Sequence, residues 1–167
     1  MSAHGHHARH RRSVGCAVVT VSDTRTEADD ASGARIRALL EQAGHRVVAY
    51  AILPDEPPRI RTRVEELLAM PEIDAVIVNG GTGLAPRDTT YEALAGLFDK
   101  RLDGFGELFR MLSYQEVGAA AMLSRAAAGV ARGKVLASLP GAPAAVELGM
   151  ARLLIPELAH MVDLLRG

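Results

Sequence analysis

Four short stretches of the chain are apolar at nearly every position and rich in β-branched residues. They span residues 14–21, 45–53, 75–79 and 134–139. A strand that is covered on both faces is apolar along its whole length, whereas a half-exposed strand alternates between apolar and polar residues. The pattern therefore predicts four interior strands, with residues 75–79 near the centre of the sheet.

Between these strands, apolar residues recur at the spacing of a buried helix face. They are Ile36, Leu39, Leu40 and Ala43, then Ile60, Val64, Leu67 and Leu68, and finally Leu154, Leu158, Met161, Val162 and Leu165. Asp30 or Ser32 is placed to cap the first helix, and Gly44 to end it. Pro58 suits the first turn of the second helix, and Pro156 lies near a start or a kink of the last.

The segment between the third and fourth strands is less regular. We expect a helix from about Thr90, a glycine-rich patch over residues 101–107, and a further helix from Glu107 to about Glu116. Residues 113–133 are rich in alanine, and their pattern assigns them neither to a helix nor to a strand.

Strands that alternate with helices predict an α/β fold. Its three layers would be a mostly parallel sheet with helices on both faces, formed by residues 13–167 as a single domain. Residues 1–12 are rich in His and Arg and are expected to be a disordered tail, with metal capture by the histidines as the alternative. Ligands of such sheets bind beyond the carboxyl ends of the strands, which selects the loops that begin at Ser22, Pro54, Gly80 and Pro140.

The composition excludes several classes of protein. A net charge of −1 and 4% aromatic residues argue against binding to nucleic acid. No apolar run approaches the roughly 18 residues that a membrane span needs, so no membrane association is expected. The single Cys16 rules out an intramolecular disulfide and favours a cytoplasmic protein. Cys16 itself is interpreted as an inert side chain inside a strand, with a reactive thiol as the alternative.

The least ordinary segment is the loop after the third strand, where the residues 80–83 read Gly-Gly-Thr-Gly. Such a loop lets an anion approach backbone N–H groups closely, although a plain turn between strand and helix is equally compatible. Thr89 and Glu92 have the spacing of a capping box, which would make Glu92 structural. Asp88 is then available either for an ion pair with Arg87 or for Mg²⁺.

Two other loops contain candidate site residues. Asp55 precedes the second helix, where it would be either a helix cap or a second carboxylate for Mg²⁺. Asp23 would be a turn or capping residue, and residues 140–143, Pro-Gly-Ala-Pro, form a rigid turn beyond the fourth strand. The residues alone thus indicate an anion or nucleotide site with one or two carboxylates.

Six segments of the chain are similar to motifs of one known family. They are residues 21–33, 54–56, 79–93, 104–118, 124–129 and 139–143. Together they resemble the MoaB/MogA family of molybdenum cofactor biosynthesis proteins over essentially all of residues 13–167. Residues 105–118 look closer to the MoaB branch than to MogA.

The resemblance implies a Rossmann-like fold and the activity of a molybdopterin adenylyltransferase, which joins molybdopterin to AMP from ATP and releases pyrophosphate. It implies that Asp55 and Asp88 are catalytic and position Mg²⁺ and the triphosphate. It also implies a set of residues that bind substrate or nucleotide. These are Ser22, Asp23, Gly80, Gly81, Thr82, Gly83, Glu107, Arg110, Ser113, Pro140, Gly141 and Ala142.

The same resemblance leaves two other functions open. Some MoaB-branch proteins lack adenylylation activity, so a molybdopterin-binding scaffold is the first alternative. A related domain of another pathway, as in competence-damage proteins or the molybdenum insertase, is the second. The family further implies a homotrimer or homohexamer and a downstream molybdenum-insertion protein as a partner.

Overall fold

The computed structural model describes residues 12–167. Apart from Arg12, the predicted tail therefore lies outside the described residues. The strands are β1 (Gly15–Val21), β2 (Arg46–Leu53), β3 (Ala75–Asn79), β4 (Lys100–Arg101), β5 (Ala127–Ala131) and β6 (Lys134–Leu139). The helices are α1 (Ala31–Gln42), α2 (Pro57–Ala69), α3 (Thr90–Ala95), α4 (Asp103–Val117), α5 (Pro143–Gly149) and α6 (Ile155–Arg166).

The strands of the described chain form one sheet of six, in the order β2-β1-β3-β6-β5-β4. The four strands predicted from the sequence, β1, β2, β3 and β6, are mutually parallel. At one edge, β5 and β4 continue the sheet in antiparallel orientation. The predicted α/β fold with a mostly parallel sheet is confirmed, and the sheet is mixed at this edge.

Helices cover both faces of the sheet, and each face has its own apolar core. Along β1, Cys16 and Val18 belong to the core on one face, while Ala17 and Val19 belong to the core on the other. Side chains from α1, α4, α5 and α6 complete the first core, and side chains from α2 and α3 complete the second. This arrangement explains why the predicted strands are apolar at consecutive positions.

The alanine-rich segment contains structure that its sequence pattern does not reveal. After α4 the chain forms a short 3₁₀ helix, Gly118–Leu123, and then β5, which pairs with β6 through a tight turn at Arg132 and Gly133. Both turn residues have positive φ, 50° and 74°. A two-residue hairpin turn of type I′ requires this geometry, but its usual sequence signal is Asn-Gly or Asp-Gly.

The helix expected from Glu107 begins four residues earlier, at Asp103, and includes most of the predicted glycine-rich patch. Phe105 and Phe109 are buried, and their rings stack with centroids 6.2 Å apart. Burial of these two rings outweighs the poor helix propensity of Gly104 and Gly106.

The C-terminal helical segment is continuous but not uniform. Between α5 and α6, residues Met150–Leu154 form a π-helical stretch, and the N–H of Ile155 donates to the carbonyl of Met150 five residues earlier. Pro156 follows at the start of α6. Because proline has no N–H to donate, a change of hydrogen-bond spacing just before it is physically reasonable. Of the two expectations for Pro156, a helix start or a kink, the structure thus shows the start of a helix.

Cys16 lies in β1 with no exposed surface, and burial raises the pKa of its thiol to about 12. The interpretation as an inert interior side chain is therefore confirmed. None of the helices between residues 12 and 167 has the length and apolar character to cross a bilayer.

Candidate functional site

The turn after β1 is organised by Ser22. Its hydroxyl oxygen accepts the backbone N–H groups of Thr24 at 3.2 Å and Arg25 at 3.0 Å. A serine that binds the backbone two and three residues ahead forms a local turn without help from the rest of the fold. Ser22 therefore fixes the direction in which Arg25 leaves the sheet.

The loop after β3 is too crowded for any residue except glycine at its first two positions. Gly80 and Gly81 have φ of 94° and 69°. A Cβ at Gly80 would lie 2.2 Å from the carbonyl oxygen of Val21, and one at Gly81 would lie 2.2 Å from Oγ1 of Thr90. Both glycines are thus required by backbone geometry and by close approach.

The backbone donors of this loop are only partly used. The N–H of Gly80 donates to the carbonyl of Leu139 at 2.9 Å, which ties the loop to the end of β6. The N–H groups of Gly81, Thr82 and Gly83 have no acceptor within residues 12–167. Since α3 has only six residues, these three N–H groups are the main donors that the loop offers to an anion.

Asp88 closes the loop from the other end. Its Oδ2 accepts the N–H of Ala85 at 3.1 Å and lies against Gly83, where a Cβ would be 2.7 Å away. The ion pair considered between Asp88 and Arg87 is absent, since Arg87 binds Asp23 instead, at 2.7 and 3.0 Å. That hydrogen bond holds the pKa of Asp23 below its ordinary value.

Asp55 is not the cap of the helix that follows it. The cap position of α2 is Glu56, which makes no side-chain capping bond. Instead, Oδ1 of Asp55 accepts hydrogen bonds from both the N–H and the hydroxyl of Thr89. Asp55 as a whole residue is only 7% exposed. Asp55 also donates its own N–H to Asp23 at 3.0 Å. It therefore links the ends of β1, β2 and the loop after β3.

The predicted capping box is wrong. Thr89 is the cap residue of α3 but makes no side-chain capping bond, because its hydroxyl is directed to Asp55. Glu92 does not reach back to Thr89 and forms an ion pair with Arg125, whose hydrogen bond lowers the pKa of Glu92. The interpretation of Glu92 as structural agrees with this contact, although the partner is different.

Arg125 has a part in the site that sequence reasoning missed. Its guanidinium donates to three backbone carbonyls of the loop, those of Thr82 at 3.3 Å, Gly83 at 2.8 Å and Asp88 at 3.0 Å. One side chain thus holds both ends of the loop. The available signal was its position in the 124–129 segment, one of those that carry the family resemblance.

A cavity of about 540 Å³ lies at this edge of the sheet. It is lined by Val21, Ser22, Thr24, Arg25, Gly80, Gly81, Thr82, Gly83, Asp88, Leu123, Ser124, Pro140 and Gly141. Most of the predicted site residues are therefore gathered here. Asp55 lies directly behind Gly81, with Oδ2 only 2.6 Å from the position of a Cβ there. Asp23 and Ala142 do not line the cavity; Asp23 pairs with Arg87, and Ala142 is the cap residue of α5.

Three predicted substrate-binding residues lie elsewhere, on α4. Glu107 and Arg110 line a separate cavity of about 240 Å³, and Ser113 lines neither cavity. Arg110 donates to the carbonyls of Ser124 at 3.3 Å and Ala126 at 3.2 Å. Within one chain, α4 is thus connected to the cavity through Ser124 rather than by direct contact.

The two aspartates are compatible with Mg²⁺. Residues 12–167 contain no group of three or more His, Cys, Asp or Glu side chains that could hold a metal by themselves. However, Mg²⁺ commonly uses one or two carboxylates together with substrate phosphates and water. Each aspartate commits one oxygen to the loop, Oδ1 of Asp55 and Oδ2 of Asp88, and the other oxygen has no partner in the described chain.

The chain is similar to known proteins over these same elements. Residues 17–160 match the family described as "Probable molybdopterin binding domain". The molybdenum cofactor biosynthesis protein B of Halalkalibacterium halodurans is 50% identical over 163 residues, covering 97% of this chain and 96% of that protein.

Two solved structures extend the similarity to the fold. The crystal structure of a molybdenum cofactor biosynthesis protein B superposes with a TM-score of 0.90 at 47% identity, covering 93% of this chain and 97% of the other. The tungsten cofactor synthesizing protein MoaB from Pyrococcus furiosus superposes with a TM-score of 0.85 at 38% identity, covering 93% and 99%. The similarity therefore includes every element that builds the cavity.

Proposed function

The chain belongs to the MoaB family of molybdopterin-binding domains in molybdenum cofactor biosynthesis, and from this premise we propose that it is a molybdopterin adenylyltransferase. It would use Mg-ATP, transfer AMP to molybdopterin and release pyrophosphate. The observation that carries the proposal is the cavity itself, which is lined by Asp88 and by Gly81, Thr82 and Gly83, whose N–H groups are uncommitted. An array of N–H donors beside a carboxylate suits a ligand that combines phosphate groups with a divalent cation.

In the proposed reaction, an oxygen of the molybdopterin phosphate attacks the α-phosphorus of ATP. A new P–O bond forms, and the bond to the β-phosphate breaks with its electron pair on the departing pyrophosphate. Phosphoryl and nucleotidyl transfers depend mainly on positioning and on stabilisation of charge, so the site needs no nucleophilic side chain.

The chain's own residues have distinct parts in this reaction. The N–H groups of Gly81, Thr82 and Gly83 bind phosphate oxygens. Asp88 and Asp55 would hold Mg²⁺, which when bound would offset the negative charge of the triphosphate. Arg125, through the loop carbonyls, keeps the N–H array in the shape that a phosphate needs.

Asp88→Asn tests the proposal, because it removes the charge while keeping the shape and an acceptor for the N–H of Ala85. With molybdopterin and Mg-ATP, we expect the variant to lose at least about 100-fold of the rate of adenylylated product formation, the scale on which removal of one electrostatic catalytic group acts. Glu41→Gln, on the exposed side of α1, is the control and should keep the wild-type rate. Wild-type activity in Asp88→Asn would contradict the assignment.

The same assay distinguishes an adenylyltransferase from a molybdopterin-binding scaffold. If the wild-type chain binds molybdopterin but forms no adenylylated product at any ATP concentration, it is a binding protein, and the catalytic parts assigned to Asp55 and Asp88 are withdrawn.

A homotrimer or homohexamer and a cytoplasmic location also belong to the proposal. The feature that supports assembly is the outer face of α4, where Leu108, Met111, Tyr114 and Val117 are exposed. A row of large apolar side chains at helical spacing is typical of a surface that binds another protein. The product would then pass to a protein that inserts the metal.

A further inference from the structure

Within residues 12–167, Arg25 is the one cationic side chain that lines the cavity. Its side chain is 30% exposed, and two contacts within the protein fix the position of its guanidinium. Nη2 donates to the carbonyl of Gly141 at 3.1 Å, and Nη1 lies 3.6 Å from Oδ1 of Asp30. Those contacts occupy at most two of the five N–H groups of the guanidinium, so others are available toward the cavity.

Asp30 is a fixed support for this arginine. It is 2% exposed, and its carboxylate accepts hydrogen bonds from the hydroxyl groups of Thr20 and Tyr50 and from the N–H of Gly33. Burial on its own raises the pKa of Asp30, but these hydrogen bonds outweigh it and the pKa lies below its ordinary value. The carboxylate therefore stays charged and keeps Arg25 in place.

Arg25 and the glycine loop both lie close to Gly141. A Cβ at Gly141 would be 3.2 Å from Cα of Gly80 and 3.9 Å from Nη1 of Arg25. Gly141 thus lies close to both, and Arg25, Gly80 and Gly141 all line the cavity of about 540 Å³. The guanidinium and the uncommitted N–H groups of Gly81, Thr82 and Gly83 therefore belong to residues that line one cavity, where an anion could meet both kinds of donor.

We propose that Arg25 binds a phosphate group of the substrate, opposite the N–H groups of the loop that follows β3. The inference rests on the proposed function for the identity of the ligands, and it adds a residue to which the family resemblance gave no part. A guanidinium presents paired N–H groups that match two phosphate oxygens, which an ammonium group does not. The phosphate belongs either to molybdopterin or to ATP.

Equilibrium titrations with pairs of ligands decide between these sources. The full chain is titrated with molybdopterin and with its dephosphorylated form, and separately with Mg-ATP and with adenosine. We expect Arg25→Gln to weaken the phosphate-bearing member of one pair about 10- to 100-fold, as for loss of a hydrogen bond to a charged group. Arg25→Lys should fall in between, and Arg63→Gln, which removes a half-buried arginine of α2 that does not line the cavity, should match wild type.

A loss confined to the phosphate-bearing member supports the proposal, and the pair that shows it identifies the substrate whose phosphate Arg25 binds. Equal affinities of Arg25→Gln and wild type for all four ligands overturn it. An equal loss for both members of a pair also overturns it, because the part of Arg25 is then structural. Failure of both phosphate ligands to bind the wild-type chain overturns it as well. Because binding is measured without turnover, a wild type that forms no adenylylated product ends the proposed function but leaves this test intact.

Discussion

Asp55 and Thr89 lie 34 residues apart in the chain and are joined by two hydrogen bonds at a single carboxylate oxygen. The contact gives Asp55 a structural task beside its proposed one, because it fixes the start of α3 from the end of β2, a strand that β1 separates from β3. Hydrogen bonds to a charged, buried group are stronger than those between neutral groups. Removal of the hydroxyl of Thr89 should therefore lower the stability of the fold.

Thr89→Val keeps the shape of the side chain and removes one of the two bonds to Asp55. We expect it to lower the free energy of unfolding by about 1–2 kcal/mol, the cost of leaving a buried acceptor with fewer partners. Urea denaturation measures the change. The control is Thr62→Val, on the exposed side of α2, which should change the free energy of unfolding by less than about 0.5 kcal/mol. Equal effects of the two substitutions would show that the Thr89 hydroxyl has no stabilising role.

At the residue scale, the sequence predicted the loops of the site better than the partners of its side chains. Glycines after an apolar strand and the rule for parallel sheets located the cavity, because both depend on the backbone. The capping box failed because Thr89 had a stronger acceptor available in Asp55. Arg125 was missed because it reaches the carbonyls of this loop from 37 to 43 residues further along the chain.

At the scale of elements, the β5–β6 hairpin is the part of the sheet that the sequence revealed least. Its turn combines Arg132, an arginine at positive φ, with Gly133. Strands β5 and β4 are short, and β5 consists almost entirely of alanine and glycine, which have low strand propensity. The four parallel strands were predicted because each is a short apolar run that is followed by a loop and a helix. In contrast, β5 takes its place in the sheet by pairing with β6 and β4.

A matched pair of substitutions isolates the backbone conformation of that turn. A Cβ would meet no atom within 4 Å at either Gly133 or Gly104, but only Gly133 has positive φ. Gly133→Ala should lower the free energy of unfolding by about 1–2 kcal/mol, because alanine disfavours this conformation.

Gly104→Ala is the control, since it lies within α4, where alanine is the better residue. It should be neutral or stabilising by up to about 1 kcal/mol. The unfolding midpoints of both variants in urea provide the comparison. A similar change in the two variants would mean that the turn does not keep its positive φ in solution.

At the scale of the whole molecule, His45 connects the start of β2 to Val14, the residue before β1. This side chain is buried at the beginning of β2, and its Nδ1 accepts the N–H of Val14 at 3.2 Å. Burial lowers the pKa of His45 below 6.5. The neutral ring is therefore the form that the folded chain accommodates, with its proton on Nε2.

The pKa of His45 is lower in the fold than in the unfolded chain, and this difference sets how stability depends on pH. When the pH falls below about 6.5, His45 takes up a proton in the unfolded chain before it does so in the fold, so stability decreases with acid. His45→Asn keeps an acceptor near Val14 but does not titrate. Urea denaturation between about pH 8 and pH 5.5 should show a smaller loss of stability in the variant, and an unchanged slope would contradict the assignment.

The buried thiol of Cys16 can be used to measure how often the native fold opens around β1. Thiol reagents attack the thiolate, and a group with a pKa of about 12 in the central part of a sheet offers almost none while the strand stays covered. Because the chain has no other cysteine, alkylation in native buffer counts the events in which β1 separates from its neighbours. A reporter cysteine placed on the surface can meanwhile be labelled without background.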